Sequence, residues 1–540
     1  MKKAQLRIAF IIDTIKVEKW KHRVINTIEN ASYLKDFVVL NLSDKNEKIE
    51  SSFSLNKKSF WYDQYLRLDN RLFRPNPNAD ELVALDKNYL SEFIQYPYDQ
   101  KDYTSLQDRL RKMELDVIIN LSNRNIDFSV LNMSKYGMWH LKLADNIHHL
   151  KKYDGINEII KKKVTLDSHL IGRNSDNKEY LLFSTKSFVD YLSISRTKNA
   201  HLWKNSLFIT RKLAELYRLG NNFYDLQPIL ADKELETKIH ALPSLSHLLG
   251  HTLKTSLKLL SKKITNRYRF QQWILLFKFT DDFFINEHLE SYIRIKPPKD
   301  RIWADPFPYV KDGRYYIFIE EMLFSDNKGF ISVMELYKDG TFSKPKKIIE
   351  NDYHMSYPFL FEHENNLYMI PETGSNKTIE LYKCSEFPYK WEYTKTLRKG
   401  VKSVDTTFFE HDNKYWIFTN EKQIEGVSAH EELFLYYTDD IINGEWKAHP
   451  KNPIVSDVSC ARSAGNIFFK GKRIFRPAQN CSKRYGYGIK IQEIIKLNEH
   501  DYEEYNINSI YPDWANDLKG THTINSTDDL IVIDALVNKF

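Results

Sequence analysis

Cysteine is nearly absent from this chain. Three occur in 540 residues, Cys384, Cys460 and Cys481, and no pair has metal-ligand spacing. So sparse and odd a set argues against a disulfide framework and for reduced thiols in a cytosolic protein. Long apolar runs are missing too, since none approaches the roughly 18 residues of a membrane-crossing helix. The amino-terminal MKKAQLRIAFIIDTIK is interrupted at Asp13 and has no small-residue cleavage site, so it reads as a first strand rather than an export signal. There is no GxGxxG and no Walker loop, which removes support for a dinucleotide or ATP site of the familiar kinds. A formal charge of +7 is small for this length, and no basic motif interleaved with aromatics stands out, so nucleic acid is not an expected partner. His354, His363, His411 and His430 are scattered without ligand spacing and read as solvated turn residues; no metal is assigned.

What is present is ordinary for a globular protein, 42% hydrophobic and 28% charged residues, in a chain too long for one core. A motif organises the second half. Asp305-Pro-Phe runs through the turn Lys311-Asp312-Gly313-Arg314 into Tyr315 to Ile319. Tyr357-Pro-Phe then leads through Glu364-Asn365-Asn366 into Leu367 to Ile370, and Asp405-Thr-Thr-Phe through Asp412-Asn413-Lys414 into Tyr415 to Phe418. Weaker copies begin at Arg462 and His522. Short alternating strands at this period predict a closed five-bladed β-propeller over 271–540. The strand Trp273 to Phe279 would pair with Leu530 to Asp534 to close the ring. Asp305, Tyr357, Asp405, Arg462 and His522 would then stand at equivalent positions around one channel mouth.

Before the propeller, strands at Arg7 to Ile12, Phe37 to Leu42 and Leu115 to Leu121 alternate with helix-length segments, predicting an open, parallel, Rossmann-like α/β sheet over 1–235. A helix is expected at Ser206 to Tyr217. Between them, 236–270 mixes leucines 245, 248, 249, 253, 257, 259 and 260 with Lys254, Lys258, Lys262, Lys263, Arg267 and Arg269. It reads as a basic amphipathic helix that is either an interdomain linker or, over 242–270, a peripheral membrane contact.

Gly137-Met138-Trp139-His140 with Asp145 resembles the amino-terminal domain of formyltransferases, although the catalytic Asn-x-His and its following loop are replaced. That resemblance implies a fold and argues against formyl transfer. The carboxy-terminal half resembles the amino-terminal domain of plant glucosamine inositolphosphorylceramide transferases, through Trp303-Ala-Asp-Pro-Phe307, Ser356-Tyr-Pro-Phe359, Ile370-Pro-Glu-Thr373, Val404-Asp-Thr-Thr407 and Gly520-Thr-His-Thr523. It implies a role in glycan or glycolipid assembly.

The predicted architecture also looks like the propellers of arabinanases and invertases. That likeness implies Asp305 and Asp405 as catalytic carboxylates and Glu372 as general acid; the second blade departs from it, carrying Tyr357 where its neighbours carry Asp. In the alternative, the aspartates cap blade turns. Trp303, Tyr357, Arg462, Arg476, Tyr487 and His522 are the candidate substrate-binding residues. The aromatics would stack on sugars. The cations would bind donor phosphate or, equally, pair with the pore carboxylates. The resulting expectation is a cytoplasmic glycosyltransferase, at the inner face of a membrane if 242–270 binds there. It would use an activated sugar donor (nucleotide sugar or phosphosugar) and a glycan or lipid-linked glycan acceptor, with no further cofactor. A glycoside hydrolase and a non-catalytic glycan-binding or scaffolding module are the alternatives.

Overall fold

Three two-residue turns set the frame of the carboxy-terminal half. Asp312-Gly313, Glu364-Asn365 and Asp412-Asn413 all have positive φ at both positions. They join Lys311 to Arg314, His363 to Asn366 and His411 to Lys414. This is the backbone twist that a tight antiparallel hairpin requires, and Gly, Asn and Asp tolerate it.

The computed structural model describes residues 5–42, 57–86, 93–95, 104–123, 133–143, 155–230, 243–268, 271–280, 289–527 and 529–538. Asp145 and residues 236–242 of the expected linker lie outside them. The chain divides into two compact units, Met1–Leu257 with Glu425–Val427, and Lys258–Ile424 with Ser428–Phe540.

The second unit is a five-bladed propeller. Blade 1 runs from the inner strand Arg301–Lys311 to Lys346–Ile349, blade 2 from Ser356–His363 to Lys390–Lys399, and blade 3 from Lys402–His411 to Lys447–Ala448. Blade 4 starts with the short strand Arg462–Ser463 and ends at Tyr502–Ile510. Blade 5 is shared by the two ends of the unit. Leu530–Asn538 pairs antiparallel along its whole length with Gln271–Phe279, Phe279 opposite Leu530 and Leu275 opposite Asp534. The ring is closed as the sequence predicts, and on its other side Leu530–Asn538 pairs with the short strands Leu518–Gly520 and Ile524–Ser526. Between blades lie apolar seams, such as Phe307, Phe318, Met355, Phe359 and Ile370 between blades 1 and 2.

The first unit is built on a seven-stranded sheet. Phe93–Gln95, Leu34–Asn41, Leu6–Ile12, Val117–Asn120 and Met138–Leu143 are parallel neighbours, followed by antiparallel Thr165–Arg173 and Glu179–Phe188. The helix expected at Ser206 to Tyr217 runs from Ile194 to Leu219, because Ser193 caps it, its Oγ accepting from the Arg196 amide. Among the described residues, no helix is long and apolar enough to cross a membrane.

Candidate active site

The inner strands of blades 1, 2 and 3 break register at one place, between Ala304 and Phe307, Ser356 and Phe359, and Val404 and Thr407. At each bulge one residue takes the left-handed conformation: Asp305 at φ 49°, Tyr357 at 46° and Asp405 at 48°. A bulge of this kind re-aims a side chain and strengthens the local twist. Aspartate tolerates the conformation, whereas a tyrosine there carries strain. The position that recurs in the sequence is therefore a backbone device, shared by three blades. Arg462 reaches the pore differently, from a regular pair in which it lies opposite Gln479.

The second strands add their own ring. Opposite the residue that precedes each bulge stand Glu320, Glu372 and Asn420, with Gln479 on blade 4 and Asp534 on blade 5. Glu320 feels the charges of Asp305, Glu372, Asp405 and Asp534, so five carboxyl groups converge here. All five are buried.

Arg462 is bound through both arms to Asp405, with Nε at 2.5 Å and a second nitrogen at 3.1 Å. It also lies 3.8 Å from Glu372. Its remaining nitrogen donates to His430 Nδ1 at 2.5 Å, and its plane lies 4.9 Å from the Tyr485 ring. Gln479 donates to the same Asp405 oxygen as the arginine Nε does. Burial and the neighbouring Asp405 push the Glu372 carboxyl up to about 8, against the pull of Arg462; its hydrogen bond to Asp405 works in the same direction. At neutral pH it is held as the acid.

Asp305 accepts from Thr523 Oγ1 at 2.5 Å, and its amide donates to Asp534. Burial lifts its carboxyl to about 6, with His522 opposing the rise and Asp405 and Asp534 adding to it. His522 Nδ1 lies 2.5 Å from Asp534 and 3.9 Å from Asp305, and its ring is stacked on Trp273 with centroids 4.0 Å apart. Burial works against the charged imidazole, but the two carboxylates outweigh it and raise its pKa. Tyr357 is fully buried; its hydroxyl accepts from the Gly465 amide at 2.8 Å and is 2.9 Å from Thr407 Oγ1, joining blade 2 to blades 4 and 3.

Asp305, Glu372, Asp405, Arg462 and His522 thus meet in one buried network, with Tyr357 beside it. The other candidates lie elsewhere. Trp303 is packed in the seam with Ile317 and Met334, its indole N–H donating to Glu321. Arg476 is bound through both arms to Glu504 and donates to the Cys460 carbonyl. The Tyr487 hydroxyl accepts from Lys483, and its ring lies against Tyr511. The aromatic at the network is instead Tyr485, half of whose environment is open: it is 41% exposed and within 5.4 Å of both His430 and His522.

Two of the histidines read as solvated turn residues are tied to the network instead. His430 is held by Arg462, and burial together with that cation lowers its pKa well below the ordinary value. His354 lies 3.4 Å from Glu320. Sequence reasoning also missed Glu320, Gln479, Thr523 and Asp534.

The fold and the site together are a closed five-bladed propeller with five acids crowded at its channel. Residues 296–528 match the family model described as the N-terminal region of glucosamine inositolphosphorylceramide transferase 1. The protein of that name from Oryza sativa subsp. japonica is 33% identical over 208 residues, and that from Arabidopsis thaliana 30% over 207; each match covers 38% of this chain. The chain spans little more than a quarter of those relatives' length, 28% and 27%. Among solved structures, a family 117 glycoside hydrolase from Zobellia galactanivorans is 11% identical, with a TM-score of 0.33 over 50% of this chain and 90% of that one. An exo-1,5-alpha-L-arabinanase from a bovine ruminal metagenomic library is 15% identical, with a TM-score of 0.31 over 44% and 93%.

Proposed function

We propose that the propeller catalyses glycosyl transfer in the assembly of a surface glycan or glycolipid. The observation that carries this reading is a pair of carboxyl groups whose environments separate their protonation. Glu372 is pushed up to about 8 and Asp305 only to about 6, so near pH 7 one is an acid and the other a base. In this reading Glu372 gives its proton to the oxygen leaving the donor sugar, and Asp305 takes the proton of the attacking acceptor hydroxyl. The carbon–oxygen bond to the leaving group breaks as the new one forms, and Arg462 keeps Asp405 in place beside the acid. Tyr485 is the exposed ring against which a sugar can stack. The name of the plant relatives supports transfer over hydrolysis.

One observation favours a second reading, glycoside hydrolysis. Arg462 and Arg476, proposed from sequence for a donor phosphate, are both bound to carboxylates, which weakens the case for a nucleotide-sugar donor. The deciding experiment is mass-spectrometric detection of transfer from a panel of nucleotide sugars, phosphosugars and simple glycosides to glycan acceptors. Wild type is compared with Asp305→Asn and Glu372→Gln. Transfer that falls about 10²- to 10⁴-fold in the variants supports the proposal. Acceptor-independent sugar release points to the hydrolase, and no turnover from any donor points to a glycan-binding module.

A further inference from the structure

Two histidines beside the acid cluster are fixed in the same tautomer, and they differ in what their remaining N–H meets. The Gly329 amide donates to His354 Nδ1 at 2.9 Å, and an Arg462 nitrogen donates to His430 Nδ1 at 2.5 Å. Neither donor can accept, so each Nδ1 is the acceptor and each Nε2 carries the hydrogen. The His354 Nε2–H faces Glu320 at 3.4 Å. The His430 Nε2–H has no partner among the described residues, although the ring is half-buried and its centroid lies 5.3 Å from that of Tyr485.

The charges acting on that open donor are positive. Lys402 begins the inner strand of blade 3, three residues before Asp405 and opposite Lys422. Its Cγ lies 3.4 Å from where a Cβ on Gly374 would stand, and Gly374 follows Glu372 by two residues. The lysine stem therefore lies against the turn that follows the acid. Its ammonium is exposed and has no ion pair or hydrogen bond among the described residues, yet its charge reaches both His354 and His430. On His430 it acts together with Arg462, and no carboxylate acts in the opposite sense.

The site is thus layered. The five acids are buried, whereas Lys402 and the Tyr485 ring are open to solvent with the His430 donor beside them. Such an arrangement suits a ligand whose sugar enters among the acids and whose other half is an anion, because phosphate oxygens take charge-assisted hydrogen bonds from just such donors. A neutral glycoside gives Lys402 nothing to bind.

We propose that Lys402 and the His430 Nε2–H form a phosphate subsite at the pore, with the Tyr485 ring as the surface beside it. This rests on the reading of the pore as a glycosyl-transfer site and sharpens it: the donor is a phosphate ester, nucleotide or lipid-linked. Its phosphate is met by these two residues and not by Arg462 or Arg476, which are bound to carboxylates.

The test is titration calorimetry of the full chain with inorganic pyrophosphate, a probe that needs no turnover. Wild type and Glu372→Gln should both bind it, and affinity should fall roughly tenfold or more in Lys402→Gln and in His430→Leu. Lys402→Gln should melt as wild type does, since that side chain is exposed. His430→Gln, whose amide can accept from Arg462 and still donate, should keep most of the affinity, which tells a lost donor from a disturbed arginine. No pyrophosphate binding by wild type, or equal binding by Lys402→Gln and His430→Leu, would overturn the subsite even if glycosyl transfer is found. Pyrophosphate binding without turnover from any donor would instead leave the subsite standing and remove the transfer reading. A nucleoside diphosphate and a polyprenyl phosphate in detergent, each competing with pyrophosphate, separate the two sources: the tighter competitor, weakened by Lys402→Gln, identifies the donor, and competition by neither would also overturn the proposal.

Discussion

Blade 4 holds two buried arginines that look alike in isolation and differ in everything around them. Arg476 and Arg462 each grip one carboxylate through two nitrogens. Around Arg476 the count is even: one guanidinium and one Glu504, to which the Tyr502 hydroxyl also donates. Around Arg462 it is not, because Glu372, Glu320, Asp305 and Asp534 crowd the same pocket, with His522 beside them. A balanced pair has no proton to exchange and serves the fold. An unbalanced cluster must keep some of its acids protonated, and those are groups able to give a proton away.

The largest test of this contrast is to break the balanced pair. Arg476→Ala leaves Glu504 buried without its cation and should cost about 3–5 kcal/mol in denaturant unfolding, while turnover per folded molecule stays near wild type. Replacing both partners, Arg476→Met with Glu504→Leu, should recover most of that stability. The matching replacement at the pore, Arg462→Met with Asp405→Leu, should leave turnover abolished whatever it does to stability. Recovery of turnover there would show the two arginines to be equivalent after all.

Next in size is the response to pH. Glu320 is raised well above the ordinary carboxylate range by burial and then by its four acidic neighbours. An acid whose pKa is higher folded than unfolded keeps its proton in the native state while the unfolded chain releases it. The native state therefore loses stability as pH rises above the unfolded pKa, up to the folded one. Melting of wild type should fall between pH 5 and 8, and Glu320→Gln should flatten that fall by about 1 kcal/mol or more. The same separation of protonation shapes activity. Turnover should be bell-shaped, rising as Asp305 ionises near pH 6 and falling as Glu372 ionises near pH 8.

Much of the propeller was legible because its signals are local. Turn pairs such as Asp412-Asn413, alternating strands and the motif repeated from Asp305, Tyr357 and Asp405 fix blades and register without any long-range information. Ring closure was legible too, since Trp273 to Phe279 and Leu530 to Asp534 are apolar strands in need of partners. The acids missed at the site were missed for different reasons. Glu320 could have been found by carrying the repeat one strand further, where IFIEEM and MIPETG place it level with Glu372. Asp534 is a lone carboxylate inside the apolar strand LIVIDAL, and that isolation was its signal. Which carboxylate an arginine grips depends on contacts between residues 28 or 57 positions apart, and no spacing in the chain encodes it. The bulge explains why Asp305, Tyr357 and Asp405 align, whereas Arg462, with no bulge, was placed in the pore by an alignment that the backbone does not share.

The smallest effect separates the two parts of the bulge position itself. Tyr357 replaces the aspartate of blades 1 and 3, and its neutral hydroxyl braces blade 2 to Gly465 and Thr407 without adding a sixth carboxyl to the pocket. Tyr357→Phe keeps the ring and the strained backbone but leaves the Gly465 amide without its acceptor, so it should cost about 1 kcal/mol and leave the pH profile unmoved. Tyr357→Asp should instead relieve the left-handed strain and still lose stability as pH rises, because its charge joins Asp405 and Asp305. If the aspartate variant were as stable at pH 8 as at pH 5, the crowding of acids would not govern this pocket, and the contrast between the two arginines would lose its cause.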